Sequence, residues 1–450
     1  MSSSKKYEID MCNGPLFGKI VLFSLPLMLS GILQLLFNAA DMIVVGRWAG
    51  SSALAAVGST GSLVNLIVNV FIGLSVGSNV LVARYYGGGQ DKELSDTVHT
   101  AIFVSVISGI ALIFIGCFVA PKALLLMGTP EDVLPQAVLY IRIYFCGMPA
   151  MMLYNFGSSI LRAVGDTKRP LYYLSAAGVI NVVLNLVFVI VFHLGVAGVA
   201  LATTISQVVS AVLVVRCLMN SDGPYKLDLR ALRISKHKLG MMVRIGLPAG
   251  FQGAVFSVSN VLIQSSVNSF GSLAMAGNSA AANLEGFVYT AMNTFHQTAV
   301  SFTSQNYGAR NYKRIGRILL ICCLSVTVVG LVLGSVFYLL SGSLLQLYSD
   351  DPVVIDYGIN RLFYICLPYF LCGLMDTLVG VIRGMGYAVM PMIVSLSGAC
   401  LLRVIWIYTI FQEYRSLKVL YLSYPFTWTV TSLVHLLCFG VVYYKLCRKT

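Results

Sequence analysis

Four stretches of this chain, Trp48 to Ala83, Pro170 to Val215, Ile245 to Leu284 and Ile318 to Ser349, contain no Asp, Glu, Lys or Arg. A water-soluble domain has no use for uncharged segments of that length, whereas a bilayer core calls for helices of about 20 apolar residues. Of the 450 residues, 58% are hydrophobic and 10% charged, which is apolar chain for about twelve membrane-spanning helices. The composition excludes a disordered chain, a disulfide-stapled secreted domain and a nucleic-acid binder of ordinary type. The 11 cysteines form no Cys-x-x-Cys pair and most lie in apolar segments. There a thiol behaves as a small hydrophobe, not as a metal or redox ligand.

The apolar segments predict spans near 17–45, 53–82, 97–120, 134–160, 170–192 and 195–216, then 242–268, 274–304, 317–340, 354–382, 389–411 and 421–444. The expected organisation is an N-terminal six-helix bundle (1–216), a linker (217–241) that is the obvious hinge, and a C-terminal six-helix bundle (242–450). The first apolar run is too long for a cleaved signal peptide, so the first span is expected to be retained. Lys and Arg in the short loops divide 23 to 4 between the two sides. The rich side carries Lys5, Lys6, the basic residues of the linker, the Arg310–Arg317 cluster and Lys445 to Lys449. The poor side carries Arg47, Lys122, Arg415 and Lys418. Positive charge stays inside, which puts both termini and the linker in the cytoplasm of a cell bounded by this inner membrane. The net charge of +13 is therefore a statement of topology.

The two halves repeat one another. Pro26 answers Pro248 at an offset of 222, while Tyr86-Gly87 answers Tyr307-Gly308, Arg162 answers Arg383, Gly165 answers Gly386 and Pro170 answers Pro391 at 221. An offset that maps six spans onto six leaves direction unchanged. The chain reads as an all-α polytopic membrane protein whose two parallel bundles are related by a pseudo-two-fold axis along the membrane normal, with a substrate path between them. Channels also use repeats, so carrier and pore both remain open at this point.

An ionisable side chain within hydrocarbon costs at least about 2.5–3.5 kcal/mol, so each one marks a candidate site. Three acids qualify: Asp41 in the outer half of span 1, Glu285 in span 8 and Asp376 in span 10. Asp41 reads as a proton or cation site, or alternatively as an interfacial acid paired with Arg47. Asn181 and Asn185 share one face of span 5 and Asn155 lies in span 4; these amides either line a polar cavity with Asp41 or glue helices together. Glu285 and Asp376 form a second cation site, or Asp376 is neutralised by a neighbour such as Arg403. Arg142 and Arg361, each seven residues before a proline, read as snorkelling side chains near helix ends, and Arg403 as deep and paired. Pro26 and Pro248 should kink their helices and act as hinges. His193, His296 and His435 have no ligand spacing. Neither a catalytic cluster nor a nucleotide-binding motif is present, so an enzyme and an ATP-driven pump are both disfavoured, and no cofactor beyond a coupling H⁺ or Na⁺ is expected.

Ser-Leu-Pro at 24–26, Asn-Ala-Ala-Asp-Met-Ile-Val-Val-Gly-Arg at 38–47, Leu-Arg-Ala-Val-Gly-Asp-Thr-Lys-Arg-Pro at 161–170, Gln-Asn-Tyr-Gly-Ala at 305–309 and Ile-Arg-Gly-Met-Gly at 382–386 together resemble the multidrug and toxic compound extrusion (MATE) family over the whole chain. The likeness is greatest to its prokaryotic branch named after a DNA-damage-inducible protein. The resemblance implies a V-shaped antiporter that expels amphipathic, often cationic small molecules against inward H⁺ or Na⁺ by alternating access. The expected partners are that small-molecule substrate and membrane lipid, with no nucleic acid, and the expected state is a monomer. It also implies a cation site at Asp41, Asn155, Asn181 and a span 6 hydroxyl, Thr203 or Thr204. Asn185 stands where that branch often has a second acid, and Val255 where the Na⁺-coupled branch has its span 7 acid; Asp376 matches that branch's span 10 acid. A flippase for a lipid-linked precursor is the alternative within transport.

Overall fold

The computed structural model describes residues 7–448, so Lys5, Lys6 and Lys449 of the charge count lie outside the described residues. Those residues are almost wholly helical and include no strand. Among the described residues ten helices are long and apolar enough to cross a membrane: α1 Leu16–Ala49, α2 Ser52–Gly87, α3 Asp91–Leu126, α5 Lys168–Val191, α6 Gly195–Met219, α7 Lys236–Asn268, α9 Tyr312–Leu339, α10 Pro352–Gly384, α11 Val389–Glu413 and α12 Leu417–Cys447. The bent helix α4 adds another, its segments Leu134–Cys146 and Met148–Ala163 meeting at 47°. The remaining span is α8, Ser272–Gly308, which is 37 residues long but interrupted by Asn278, Glu285, Asn293, Gln297 and Gln305. Pro26 and Pro248 each lie inside a continuous helical segment, Leu16–Val44 and Lys236–Asn268. The sharp bend falls at Gly147, just before Pro149.

The helix faces show what solvent they meet. On α9, Leu320, Leu324, Val328, Val332 and Val336 recur every four residues and are all exposed, while Ile315, Leu319, Cys322, Val326 and Gly330 on the other side are buried. A helix apolar on both faces is solvated by hydrocarbon on one of them.

The chain forms two compact units that do not follow chain order. Unit 1 holds residues 1–10 and 25–254, unit 2 holds 11–24 and 255–450. In unit 1, α4 packs on α2, α3 and α6; in unit 2, its repeat counterpart α10 packs on α8, α9 and α12. The linker 217–241 lies wholly in unit 1 and is pinned to α3. The Asp228 amide donates to His99 Nε2 at 3.1 Å, the Ser235 amide to Thr100 Oγ1 at 3.1 Å and Arg233 to Asp96 at 2.6 Å. Tyr225 in the linker donates to Glu8 at 2.6 Å; burial, and then the Glu8 carboxylate, push its hydroxyl above the usual phenol range.

The two compact units divide the chain within helices α1 and α7, and packing gives the reason. In unit 1, Gly246 and Gly250 of α7 lie against Gly73 and Leu74 of α2 so closely that a Cβ on Gly73, Gly246 or Gly250 would collide with backbone atoms of the facing helix. Small residues four apart are what lets helix backbones touch in a membrane. The counterpart contact lies in unit 2, where Phe23 of α1 meets Phe302 of α8 edge-on at 5.4 Å and the Ser24 and Thr298 hydroxyls hydrogen-bond at 2.8 Å. Each repeat therefore lends the start of its first helix to the other unit. Gly250→Ala is expected to lower the unfolding midpoint of the detergent-solubilised protein, at a cost of roughly 1–3 kcal/mol for overpacking. Gly253→Ala, where a Cβ would meet Asn69 only at 3.8 Å, should leave the midpoint unchanged.

Candidate functional site

Helix α1 brings Phe37 and Asp41 to one face, four residues apart, and α5 answers with Gly178, Asn181 and Asn185. At Gly178 a Cβ would overlap the Phe37 ring, so a larger residue there would require the ring to move. With α1 lying on that glycine, Asn185 Nδ2 reaches Asp41 Oδ1 in a hydrogen bond. The chain of contacts continues from Asn185 Nδ2 to Asn181 Oδ1 at 3.4 Å and from Asn181 Nδ2 to Thr203 Oγ1 on α6 at 3.3 Å. Asn181 and Asn185 are buried, and Asn185 Oδ1 is a buried acceptor with no hydrogen-bond partner among the described residues. Arg47 is not the partner of Asp41: among the described residues no basic side chain makes an ion pair with it. The hydrogen bonds of the other two expected residues run elsewhere. Asn155 Nδ2 donates to Met151 O one turn back at 2.8 Å, and Thr204 Oγ1 donates to Ile143 O of α4 at 3.3 Å.

In unit 2 Glu285 and Asp376 have different hydrogen-bond partners. Glu285 is held by Arg361, whose Nε and Nη2 donate to its two carboxylate oxygens at 2.9 and 2.8 Å. Arg361 Nη1 also donates to Asn278 Oδ1 at 2.6 Å, an oxygen that accepts from Tyr421 as well at 3.2 Å. The snorkelling expected of Arg361 is corrected, because it is buried and ion-paired, while its counterpart Arg142 is exposed. An acid within reach on α8 decides the difference. Asp376 instead accepts from Tyr289 Oη at 3.3 Å, and that hydroxyl accepts from Asn293, which accepts in turn from Gln297, each at 3.3 Å. His296 Nδ1 lies 2.6 Å from the Asp376 carbonyl oxygen. Arg403 does not neutralise Asp376, nor is it paired with any acid among the described residues; it donates to Thr427 Oγ1 at 3.0 Å. Sequence reading missed the ladder on α8, although Glu285, Tyr289, Asn293 and Gln297 recur every four residues, the spacing of one helix face.

The MatE family model matches residues 26–187 and 248–409, two segments that begin at the paired prolines Pro26 and Pro248. The chain belongs to the MatE family. This MatE chain is 30% identical over 428 residues to the probable multidrug resistance protein YoeA of Bacillus subtilis (strain 168), a match covering 92% of this chain and 91% of that one. It is 27% identical over 398 residues to the probable multidrug resistance protein YpnP of the same organism, covering 88% of each. A solved structure described as the outward-facing conformation of a multidrug resistance MATE family transporter of the MOP superfamily matches with a TM-score of 0.91 at 23% identity over 98% of both chains. That likeness bears on the fold, a multi-pass helical membrane protein of twelve spans.

Proposed function

We propose that this MatE chain is a secondary antiporter of the cytoplasmic membrane that exports amphipathic, cationic compounds in exchange for H⁺ or Na⁺ by alternating access. It works as a monomer with both termini in the cytoplasm. Membership of the family and the names of the relatives, multidrug resistance proteins, support the transport class. The observation that carries the coupling role is Asp41: a carboxylate in a spanning helix, bonded to a buried amide and without a basic partner among the described residues. Such a group is costly when charged, so binding of a cation and the conformation of the helices around it are linked. The unpartnered Asn185 Oδ1 would accept a proton carried by Asp41 or ligate Na⁺ together with it, as oxygen donors suit both ions. Glu285 drops out of the coupling set because Arg361 already compensates it.

The test is efflux of a fluorescent cationic dye from proteoliposomes under pH and Na⁺ gradients imposed separately. Export above the protein-free rate under one of them supports the reading and names the ion. No export under either, from vesicles that bind the dye, would overturn it.

A further inference from the structure

The buried charges of unit 2 do not balance. Two guanidinium groups share the Tyr424 ring, Arg361 at 5.9 Å and Arg403 at 4.2 Å from its centroid. Glu285 answers only the first. Arg403, in the middle of α11, is 3% exposed; among the described residues its buried Nε has no hydrogen-bond partner, and its guanidinium donates through Nη2 to the neutral Thr427 hydroxyl. A cation so placed is expensive unless something anionic meets it, and among the described residues nothing in the chain does.

What lies next to Arg403 says what the anion is attached to. From Tyr424 an aromatic row continues to Trp428 at 5.5 Å, to Tyr369 stacked on Trp428 at 5.3 Å, and to Tyr289 stacked on Tyr369 at 6.2 Å. The Tyr289 hydroxyl then donates to the Asp376 carboxylate at 3.3 Å. The row thus has a guanidinium at one end and a carboxylate at the other, with four rings between them. Its Tyr289 end is open (37% exposed), whereas Trp428 and Tyr424 are 5% and 8% exposed, so an anion at Arg403 is held out of water once these two rings part to admit it. Aromatic faces favour flat apolar rings and cations, and a desolvated guanidinium favours carboxylate, sulfonate or phosphate.

We propose that Arg403 is the recognition group for an anionic substituent of the transported compound, so that unit 2 selects aromatic amphiphiles carrying an anion at one end and a cation at the other. This rests on the export reading above and narrows its cargo from cations to zwitterions; the test is therefore one of binding, which needs no gradient.

Fluorescence anisotropy titrations of the purified full chain would compare a styrylpyridinium dye bearing an N-propyl group with its N-sulfopropyl counterpart, which differs by one sulfonate. Arg403→Gln is expected to weaken the sulfopropyl dye about 10-fold, the loss of one charge-assisted contact, and to leave the propyl dye unchanged; Arg403→Lys should restore most of the difference. The unfolding midpoint of Arg403→Gln should be equal to or above that of the parent, because an uncompensated buried charge has been removed. Equal weakening of both dyes, no weakening of either, or a marked fall in the midpoint would each overturn the proposal and make Arg403 a structural cation. Loss of the sulfopropyl preference when chloride replaces gluconate at constant ionic strength would overturn it in favour of an inorganic anion. Binding of both dyes by a chain that exports neither would defeat the antiport reading alone.

Discussion

Gradient-driven dye efflux is expected to fall to the protein-free leak in Asp41→Asn, with dye affinity within about 2-fold of the parent. The substitution is nearly isosteric, and Asn185 Nδ2 keeps an acceptor at position 41, so the packing of α1 on α5 survives. What disappears is the charge whose neutralisation would drive the cycle. Holding a carboxylate at that depth costs about 2.5–3.5 kcal/mol on insertion scales, which is on the order of 100-fold in the balance between two conformations. An asparagine is neutral in both and leaves the ion gradient nothing to act on. Asp376→Asn is the comparison: Tyr289 still has an oxygen to donate to, and most of the efflux should remain. Efflux that survives Asp41→Asn and fails in Asp376→Asn would transfer the coupling site to unit 2.

Stability should respond most to the Glu285–Arg361 pair. Arg361→Met strands a buried carboxylate and is expected to cost about 3–5 kcal/mol, as breaking one side of a buried pair does. Glu285→Gln keeps one acceptor oxygen for Arg361 beside Asn278 Oδ1 but leaves the buried guanidinium without a counter-charge, and should cost a similar amount. The double variant Glu285→Gln/Arg361→Met removes both charges and should lie closer to the parent than either single variant, with efflux retained. Unfolding midpoints of the four proteins form the cycle that measures this. Additive losses would mean that the two side chains do not act as a pair, and loss of efflux in a well-folded double variant would return Glu285 to the coupling site.

Much of this architecture is legible from the residues because its causes act locally along the chain. A span announces itself by the absence of charge, and the span 8 segment was found although α8 is too polar to count as an apolar helix, since Asp, Glu, Lys and Arg are nearly absent from it. The repeat shows in glycines as well as prolines. Gly165 and Gly386, 221 residues apart, both take positive φ, 102° and 94°, in the turns before α5 and α11, where a side chain would be strained. Asp41 could be singled out because the cost of an acid in hydrocarbon does not depend on who its neighbours are.

Who those neighbours are is a different kind of fact. Sequence by itself determined the spans, the duplication and the short catalogue of buried polar residues. Only the tertiary structure decided that Asp41 is answered by Asn185 and not by Arg47, that Arg361 belongs to Glu285, that Arg403 has no acid partner among the described residues, and that α1 and α7 each begin in the unit of the opposite repeat. These outcomes turn on how each helix is rotated about its axis and how near its neighbour can come. Gly178 under Phe37 and Gly250 against α2 set that approach, and a hydrogen bond or ion pair forms or fails over a fraction of an ångström. Hydropathy and charge count are sums over residues; pairing depends on the distance between residues far apart in the chain.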